Sequence, residues 1–149
     1  MLEVDALSSR YGRITALDSV SLRVDRGELV ALVGANGAGK STLLRALSGV
    51  QPAAAGSVRF EGADVTRASA RSRVRMGIVQ VPEGRQVFGP LTVEDNLMLG
   101  AYLRPPGEIR PGLEQVYALF PILASKRNDA ACSSRAPRGR ARPTWPRPW

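Results

Sequence analysis

The sequence contains no histidine, a single cysteine and no long apolar run. The lack of histidine excludes catalysis by an imidazole base. Cys132 alone cannot form an internal disulfide and does not indicate a metal site. A membrane-spanning helix needs about 18 consecutive apolar residues, which the sequence does not have, and the acids near Met1 are unlike a secretory signal. These absences predict a soluble, cytoplasmic protein.

The basic character of the chain is concentrated at its end. The net charge is +8, but residues 131–149 hold five arginines and no acid, and subtracting these five charges from +8 leaves +3 for residues 1–130. The same segment has four prolines and both tryptophans but no Leu, Ile, Val, Met or Phe, so it cannot form a core. We therefore predict a folded part over 1–130 and a disordered basic tail over 131–149. Such a tail provides only nonspecific attraction to nucleic acid, so no specific nucleic-acid partner is expected.

The hydrophobic pattern of residues 1–130 predicts a mixed α/β domain. Alternating residues predict half-buried strands at 2–7 and 20–24, with a short strand at 57–60. Nearly continuous apolar runs at 28–33 and 77–81 predict strands that are covered on both faces.

Helices are predicted from Ser41 to Gly49, over 68–76, and after a capping box formed by Thr92 and Asp95. The last of these is expected to bury an apolar face made of Val93, Leu97, Met98 and Ala101. Residues 104–112 read as a Pro/Gly linker. Apolar residues then recur at helical spacing from Leu113 to Phe120, which predicts core packing.

A phosphate-binding loop lies between the predicted strand at 28–33 and the helix after it. Gly34-Ala35-Asn36-Gly37-Ala38-Gly39-Lys40-Ser41 matches G-x-x-x-x-G-K-[ST] at every fixed position. Glycines let backbone amides point at phosphates, and the start of the helix attracts the same anion. Lys40 is expected to contact the β- and γ-phosphates, and the Ser41 hydroxyl to bind Mg²⁺. The alternative is an ordinary glycine turn, against which the strand and helix patterns on either side argue.

The stretch from Tyr11 through Ala16-Leu17-Asp18-Ser19-Val20-Ser21-Leu22 to Gly27–Leu44, with its Asn-Gly-Ala-Gly-Lys-Ser-Thr-Leu-Leu wording, resembles an ABC-type nucleotide-binding domain. The resemblance implies a P-loop NTPase (RecA-like) core with an antiparallel β subdomain and the start of a helical subdomain, that is, an incomplete ABC ATPase domain. It also implies that Tyr11 stacks on adenine, the alternative being a surface aromatic. The implied nucleotide-binding set is Tyr11, Gly34, Ala35, Asn36, Gly37, Ala38, Gly39, Lys40, Ser41 and Thr42, with ATP and Mg²⁺ as ligands.

Residues 81–97, Val-Pro-Glu-Gly-Arg-Gln-Val-Phe followed by Leu-Thr-Val-Glu-Asp-Asn-Leu, are similar to the branched-chain amino-acid uptake branch of this family. Most ABC ATPases have a glutamine here that contacts Mg²⁺ and the attacking water. The equivalent residue is Glu83, whose carboxylate can still bind Mg²⁺, whereas Gln80 falls in the preceding predicted strand. The resemblance implies transmembrane permease subunits and a second ATP-binding subunit as partners, at the inner face of the cell membrane.

Several family motifs have no counterpart in the sequence. The resemblance implies a Leu-Ser-Gly-Gly-type signature, a strand ending in an Asp-Glu pair and a switch histidine, but no acid follows Asp129 and histidine is absent. A loop without a positioned base leaves the attacking water unactivated, so hydrolysis by this chain is expected to be negligible. The residues from Ser133 to Arg140 can be back-translated into GC-rich codons that encode a signature-like sequence in another frame. A frameshift after about Ala131 is one hypothesis, which the codons of the gene test, and a genuine basic arm is the other.

The sequence therefore favours an ATP-binding subunit of an amino-acid importer. The alternatives are an ATP-binding or regulatory fragment that does not hydrolyse ATP, a basic nucleic-acid-binding protein, and another P-loop enzyme such as a small kinase. Deletion of residues 131–149 separates the first two alternatives, because it removes salt-sensitive DNA binding and leaves nucleotide affinity intact.

Overall fold

The computed structural model describes residues 1–84 and 86–132, which divide into two compact units, 1–81 and the residues from Pro82 onward. Apart from Ala131 and Cys132, the predicted tail lies outside the described residues. Among the described residues, no helix is both long and apolar enough to cross a membrane.

The first unit contains a four-stranded antiparallel sheet and two helices. Its strands lie in the order β2-β1-β3-β4. In chain order the elements are β1 (Leu2–Tyr11), β2 (Ile14–Val24), α1 (Lys40–Ser48), β3 (Ala55–Phe60), β4 (Ala63–Asp64) and α2 (Ala70–Arg75). The predicted strands at 2–7, 20–24 and 57–60 and the first two predicted helices are confirmed.

An irregularity in β1 sets which residues face the core. The register with β2 shifts between Val4 and Leu7, where Ala6 has a φ of 44°. The extra residue places Val4 and Leu7, three apart, on the same side of the sheet, where a regular strand would alternate. The sheet face packs against α1 in a cluster formed by Val4, Leu7, Leu17, Leu43, Ala46, Val58 and Val65.

The two segments predicted as strands covered on both faces are not strands. Residues 28–33 and 77–81 have no strand pairing among the described residues. Leu29 and Val33 are 96% and 94% exposed, and Val81 is 90% exposed. An apolar run indicates that a strand can be buried, but a parallel strand also needs a hydrogen-bonded neighbour and a covering layer. Neither is present for these segments in the part of the chain that the structure describes.

The second unit contains three helices, α3 (Val93–Gly100), α4 (Pro106–Leu119) and α5 (Pro121–Ser125). The capping box is confirmed: Thr92 Oγ1 accepts from Asp95 N at 3.0 Å, and Asp95 Oδ2 accepts from Thr92 N at 3.3 Å. Residues 127–132 lie beside 89–94, where Val93 N donates to Asp129 O and Ala131 N donates to Leu91 O.

Three predictions about this unit are wrong, namely the linker at 104–112, the core packing of 113–120 and the burial of Met98. Most of the predicted linker is the first half of α4. Pro106 occupies the first helical position, where its missing N–H costs nothing, and the helix continues past Pro111, which lies inside it. The helix also buries no residue, and Leu119 is 74% exposed. In α3, Val93 is buried as predicted, whereas Met98 is exposed.

The Glu61 carboxylate lies between two positively charged groups of the first unit. Glu61 accepts from the Met1 ammonium through Oε1 and from Arg26 Nη2 through Oε2, each at 2.5 Å. Arg26 and then the ammonium lower the pKa of Glu61 to about 2. A carboxyl group whose pKa is depressed in the folded state stabilises the protein above its ordinary pKa, and this contribution is lost as the pH falls from about 4.5 to about 2.

We therefore expect Glu61→Gln to be less stable than the wild type at pH 7, with a difference that shrinks between pH 4.5 and 2. Urea unfolding at several pH values measures this difference. Arg26→Gln, which removes the partner, should reduce the same pH dependence. The prediction would be contradicted if the difference in the free energy of unfolding between wild type and Glu61→Gln did not change from pH 5 to pH 2.

Candidate functional site

The glycine-rich loop leads directly into α1. Gly39 is the residue that precedes the helix, with a φ of 87°, and it offers no side-chain oxygen to the first turn, which also contains no acid. The first amides of any helix have no partner inside it, and Ser, Thr, Asn or Asp usually satisfies one of them. The residue that precedes α1 therefore supplies no capping side chain, and the positive end of the helix dipole can attract an anion there.

Lys40 lies at the centre of this loop. Its ammonium donates to Gly34 O and to Ala35 O, each at 2.7 Å. These two bonds fold the loop around the lysine and leave one of the three ammonium donors for another acceptor. Residues 34–38 are exposed, and Gly39 and Lys40 are half-buried, so an anion can reach the ammonium from solvent.

The β1–β2 hairpin lies against the loop. A Cβ atom at Gly39 would stand 2.6 Å from Ala16 O and 3.0 Å from Leu17 Cδ2, which shows how closely the loop approaches β2. Tyr11 pairs with Ile14 at the end of the same hairpin and is 41% exposed. The structure thus brings the hairpin that carries the predicted adenine-stacking residue to the phosphate loop. The sequence does not indicate the contact at Ala16. The atom that lies close to Gly39 is a main-chain oxygen, and side-chain patterns carry no information about main-chain contacts.

The predicted magnesium residues come from different units. Ser41 lies in the first turn of α1, and Glu83 is an exposed residue near the start of the second unit. A hydroxyl and a carboxylate are both oxygen donors of the kind that Mg²⁺ prefers. The described residues contain no group of three or more His, Cys, Asp or Glu that could hold a metal ion by themselves. Ser41 and Glu83 each belong to their own unit, and their joint role with Mg²⁺ stays a prediction.

The other end of α1 is held by a buried arginine. Arg73, on α2, is 3% exposed, and within residues 1–84 and 86–132 its guanidinium donates only to main-chain oxygens. Two of these, Ala46 O and Leu47 O at 2.7 and 2.8 Å, belong to the last turn of α1. Burial lowers the pKa of Arg73, but a guanidinium remains protonated at any physiological pH. Its positive charge therefore complements the negative end of the α1 dipole.

A second contact lies beside this arginine. Ser48 Oγ, at the last position of α1, donates to Gln80 Oε1 at 2.7 Å. The sequence predicts Gln80 inside a strand and indicates no role for Arg73. No pattern in the run of arginines over 67–75 marks one of them as buried.

Comparison with known proteins gives a consistent result. A family profile described as "ABC transporter" matches residues 17–139. The high-affinity branched-chain amino acid transport ATP-binding protein BraG of Pseudomonas aeruginosa is 45% identical over 126 residues, which are 85% of this chain and 54% of BraG. The sulfate/thiosulfate import ATP-binding protein CysA of Bordetella pertussis is 45% identical over 103 residues, which are 69% of this chain and 28% of CysA.

A solved structure of an ATP-binding subunit of an ABC transporter matches with a TM-score of 0.71 at 32% identity. The match covers 86% of this chain and 53% of the solved one. The chain thus spans about half the length of BraG and of the solved subunit. The antiparallel sheet with its helices is an incomplete form of the fold of these cassettes, as predicted.

Proposed function

The chain belongs to the ABC transporter family, and on that premise we propose that it binds MgATP as part of the ATP-binding subunit of an importer. The observation that carries the proposal is the Lys40 ammonium, held by Gly34 O and Ala35 O at the uncapped start of α1. A fixed ammonium and helix-end amides are complementary to the β- and γ-phosphates of a nucleotide.

The cargo we propose is a branched-chain amino acid. BraG matches a larger share of this chain than CysA does, at the same identity. The Pro-Glu-Gly-Arg sequence at residues 82–85 favours the same branch of the family. In this proposal other subunits select the amino acid, and the present chain contributes nucleotide binding.

Each part of the site has a proposed role. Tyr11 stacks on the adenine ring through its face, which gives affinity without reading the base edge. The amides of residues 34–42 surround the phosphates, and Lys40 neutralises their charge. Ser41 and Glu83 are the residues that would hold Mg²⁺, which supplies positive charge to the phosphate oxygens when it is bound.

We propose that these 149 residues alone bind ATP with negligible turnover. No histidine is present, and no Asp or Glu follows Asp129, so the sequence has no candidate for the general base beyond that point. Positioning of the attacking water is a large part of phosphoryl-transfer catalysis. A role as an ATP-binding or regulatory fragment without hydrolysis is the second candidate. The lack of a general-base candidate after Asp129 favours it as well.

The partners proposed are transmembrane permease subunits and a second ATP-binding subunit, at the cytoplasmic face of the membrane. The family membership supports both, since domains of this kind act in pairs on membrane subunits. Leu29, Val33, Val79 and Val81 are largely exposed apolar side chains, and exposed apolar surface of this kind supports contacts with other proteins.

The proposal is tested by titrating the purified chain with a fluorescent ATP analogue and magnesium, with phosphate release measured in parallel. Lys40→Ala should weaken binding by about 10- to 100-fold, because hydrogen bonds to a charged group contribute about 1.5–3 kcal/mol. We expect no phosphate release from either protein.

Lys126→Ala provides the matched control, since Lys126 is the only other lysine of the chain and lies far from the loop in sequence. It should bind the analogue as the wild type does. Equal affinity of Lys40→Ala and wild type would exclude a phosphate site at this loop, and Lys40-dependent phosphate release would refute the proposed lack of turnover.

A further inference from the structure

The end of α1 opposite the phosphate loop is attached to a segment that the proposed function leaves without a role. Arg73 Nη1 donates to Ala46 O and Leu47 O, and Gln80 Oε1 accepts from Ser48 Oγ. Both attached residues belong to the stretch 73–80, which leads toward Glu83. The last turn of α1 is therefore tied to this stretch at two separate points.

Close packing reinforces the attachment. Gly49 ends α1 with a φ of 79°, and a Cβ atom there would stand 3.1 Å from Ala70 N and from Arg73 Nε. The end of α1 thus abuts the start of α2 with no space for a side chain. A displacement of α1 along its axis would have to displace this stretch as well.

Gln80 attaches residues 79–81 to the end of α1. The Ile78 side chain packs against the core of the first unit, and its amide donates to Arg73 O at 2.9 Å. Val79 and Val81 are instead 70% and 90% exposed. The bond between Gln80 and Ser48 therefore holds a stretch whose neighbouring side chains have little other contact.

We propose that Arg73 and Gln80 are positioning residues that connect the nucleotide site to the segment leading to Glu83. The inference rests on the proposed function, because it requires a nucleotide at the start of α1. Nucleotide phosphates compete with Gly34 O and Ala35 O for the Lys40 ammonium and so change the contacts at the first turn of the helix. The short, internally hydrogen-bonded helix passes this change to its last turn, where Gln80 restricts residues 77–81.

Mutation of Gln80 tests the positioning role better than mutation of Arg73 does. Loss of Arg73 would destabilise the fold, whereas the Gln80 bond is a single neutral hydrogen bond that contributes about 1 kcal/mol. In Gln80→Leu the Ser48 hydroxyl still has Arg45 O as an acceptor, at 3.1 Å. The variant should therefore fold and still bind nucleotide.

The test is amide hydrogen exchange in a peptide covering residues 74–81, with and without a non-hydrolysable ATP analogue and magnesium. In the wild type the analogue should slow exchange by about fivefold or more, which corresponds to the lower end of measured coupling between sites. Gln80→Leu should lose this response while its affinity for the analogue stays within about tenfold of the wild type. Gln80→Glu keeps an oxygen for the Ser48 hydroxyl and should restore the response.

Gln51→Leu is the matched control. Gln51 also follows the end of α1, but its Nε2 donates to Arg10 O at 2.8 Å, on β1. This variant should respond as the wild type does. The positioning role alone would be overturned by either of two results. In one, the analogue slows amide exchange in Gln80→Leu as much as in the wild type; in the other, the wild type binds the analogue without any slowing of exchange. Failure of the wild type to bind the analogue would overturn the proposed function and the positioning role with it.

Discussion

Replacing Gly39 with alanine is expected to weaken nucleotide binding strongly. The new Cβ would stand 2.6 Å from Ala16 O, and this oxygen belongs to the backbone of β2, which is held by its pairing with β1. The loop must therefore move away from the hairpin. The φ of 87° adds about 1–2 kcal/mol for any residue with a side chain. We expect the affinity for a fluorescent ATP analogue to fall by at least about 100-fold, or about 2.7 kcal/mol.

Gly37→Ala separates the steric clash from the backbone strain. Gly37 has almost the same φ, 86°, but a Cβ there would meet no atom within 4 Å. This variant carries only the conformational cost, so its affinity should fall by about 10-fold. Titration of both variants with the analogue, together with urea unfolding of each, measures the two contributions. Equal losses in affinity would show that the approach of the loop to Ala16 has no influence on binding.

Features that depend on neighbours in sequence could be predicted. The capping box at Thr92 and Asp95 is confirmed because both of its hydrogen bonds join residues three positions apart. The helix after Lys40 and its end at Gly49 follow equally local rules of composition and glycine conformation. The loop motif itself is local, so its residues were found without knowledge of the fold.

Features that depend on distant partners could not be predicted. The apolar run at 28–33 has the composition of a buried strand, yet Leu29 and Val33 are almost fully exposed. Strand formation requires neighbours that the run itself does not specify, so its composition cannot report whether they are present. The contact between Gly39 and Ala16 O is of the same kind, since main-chain oxygens leave no trace in sequence.

Arg73 is the clearest residue of this kind. Three arginines lie in α2, and a run of basic residues normally indicates a solvated face. Only the fold shows that Arg73 is buried while Arg71 and Arg75 are exposed. The acceptors of Arg73 are carbonyl groups from two other segments, so no acidic residue in the sequence indicates its partner.

Replacing Arg73 with methionine is expected to destabilise the protein by about 3–5 kcal/mol. The side chain makes hydrogen bonds to Ala46 O, Leu47 O, Thr66 O and Ala68 O at 2.7 to 3.1 Å. Methionine fills much of the same volume but donates none of them, and each buried carbonyl group left unpaired costs about 1–3 kcal/mol. This loss is a large part of the stability of an ordinary domain, so urea unfolding should show a much lower midpoint or an unfolded chain.

Two further variants identify the cause of that loss. Arg71→Met removes a charge from the same helix, but Arg71 is exposed and has no hydrogen bond or ion pair among the described residues, so its effect should stay within about 0.5 kcal/mol. Arg73→Lys keeps the charge but not the planar set of five donors, and its stability should lie between those of wild type and Arg73→Met.

If lysine restored full stability, charge at the end of α1 would be sufficient. If Arg71→Met were as destabilised as Arg73→Met, the loss would come from the charge of α2 as a whole. The expected order of wild type, Lys and Met would instead assign the stability to the geometry of the guanidinium, which joins the last turn of the phosphate-binding helix to the segment before α2.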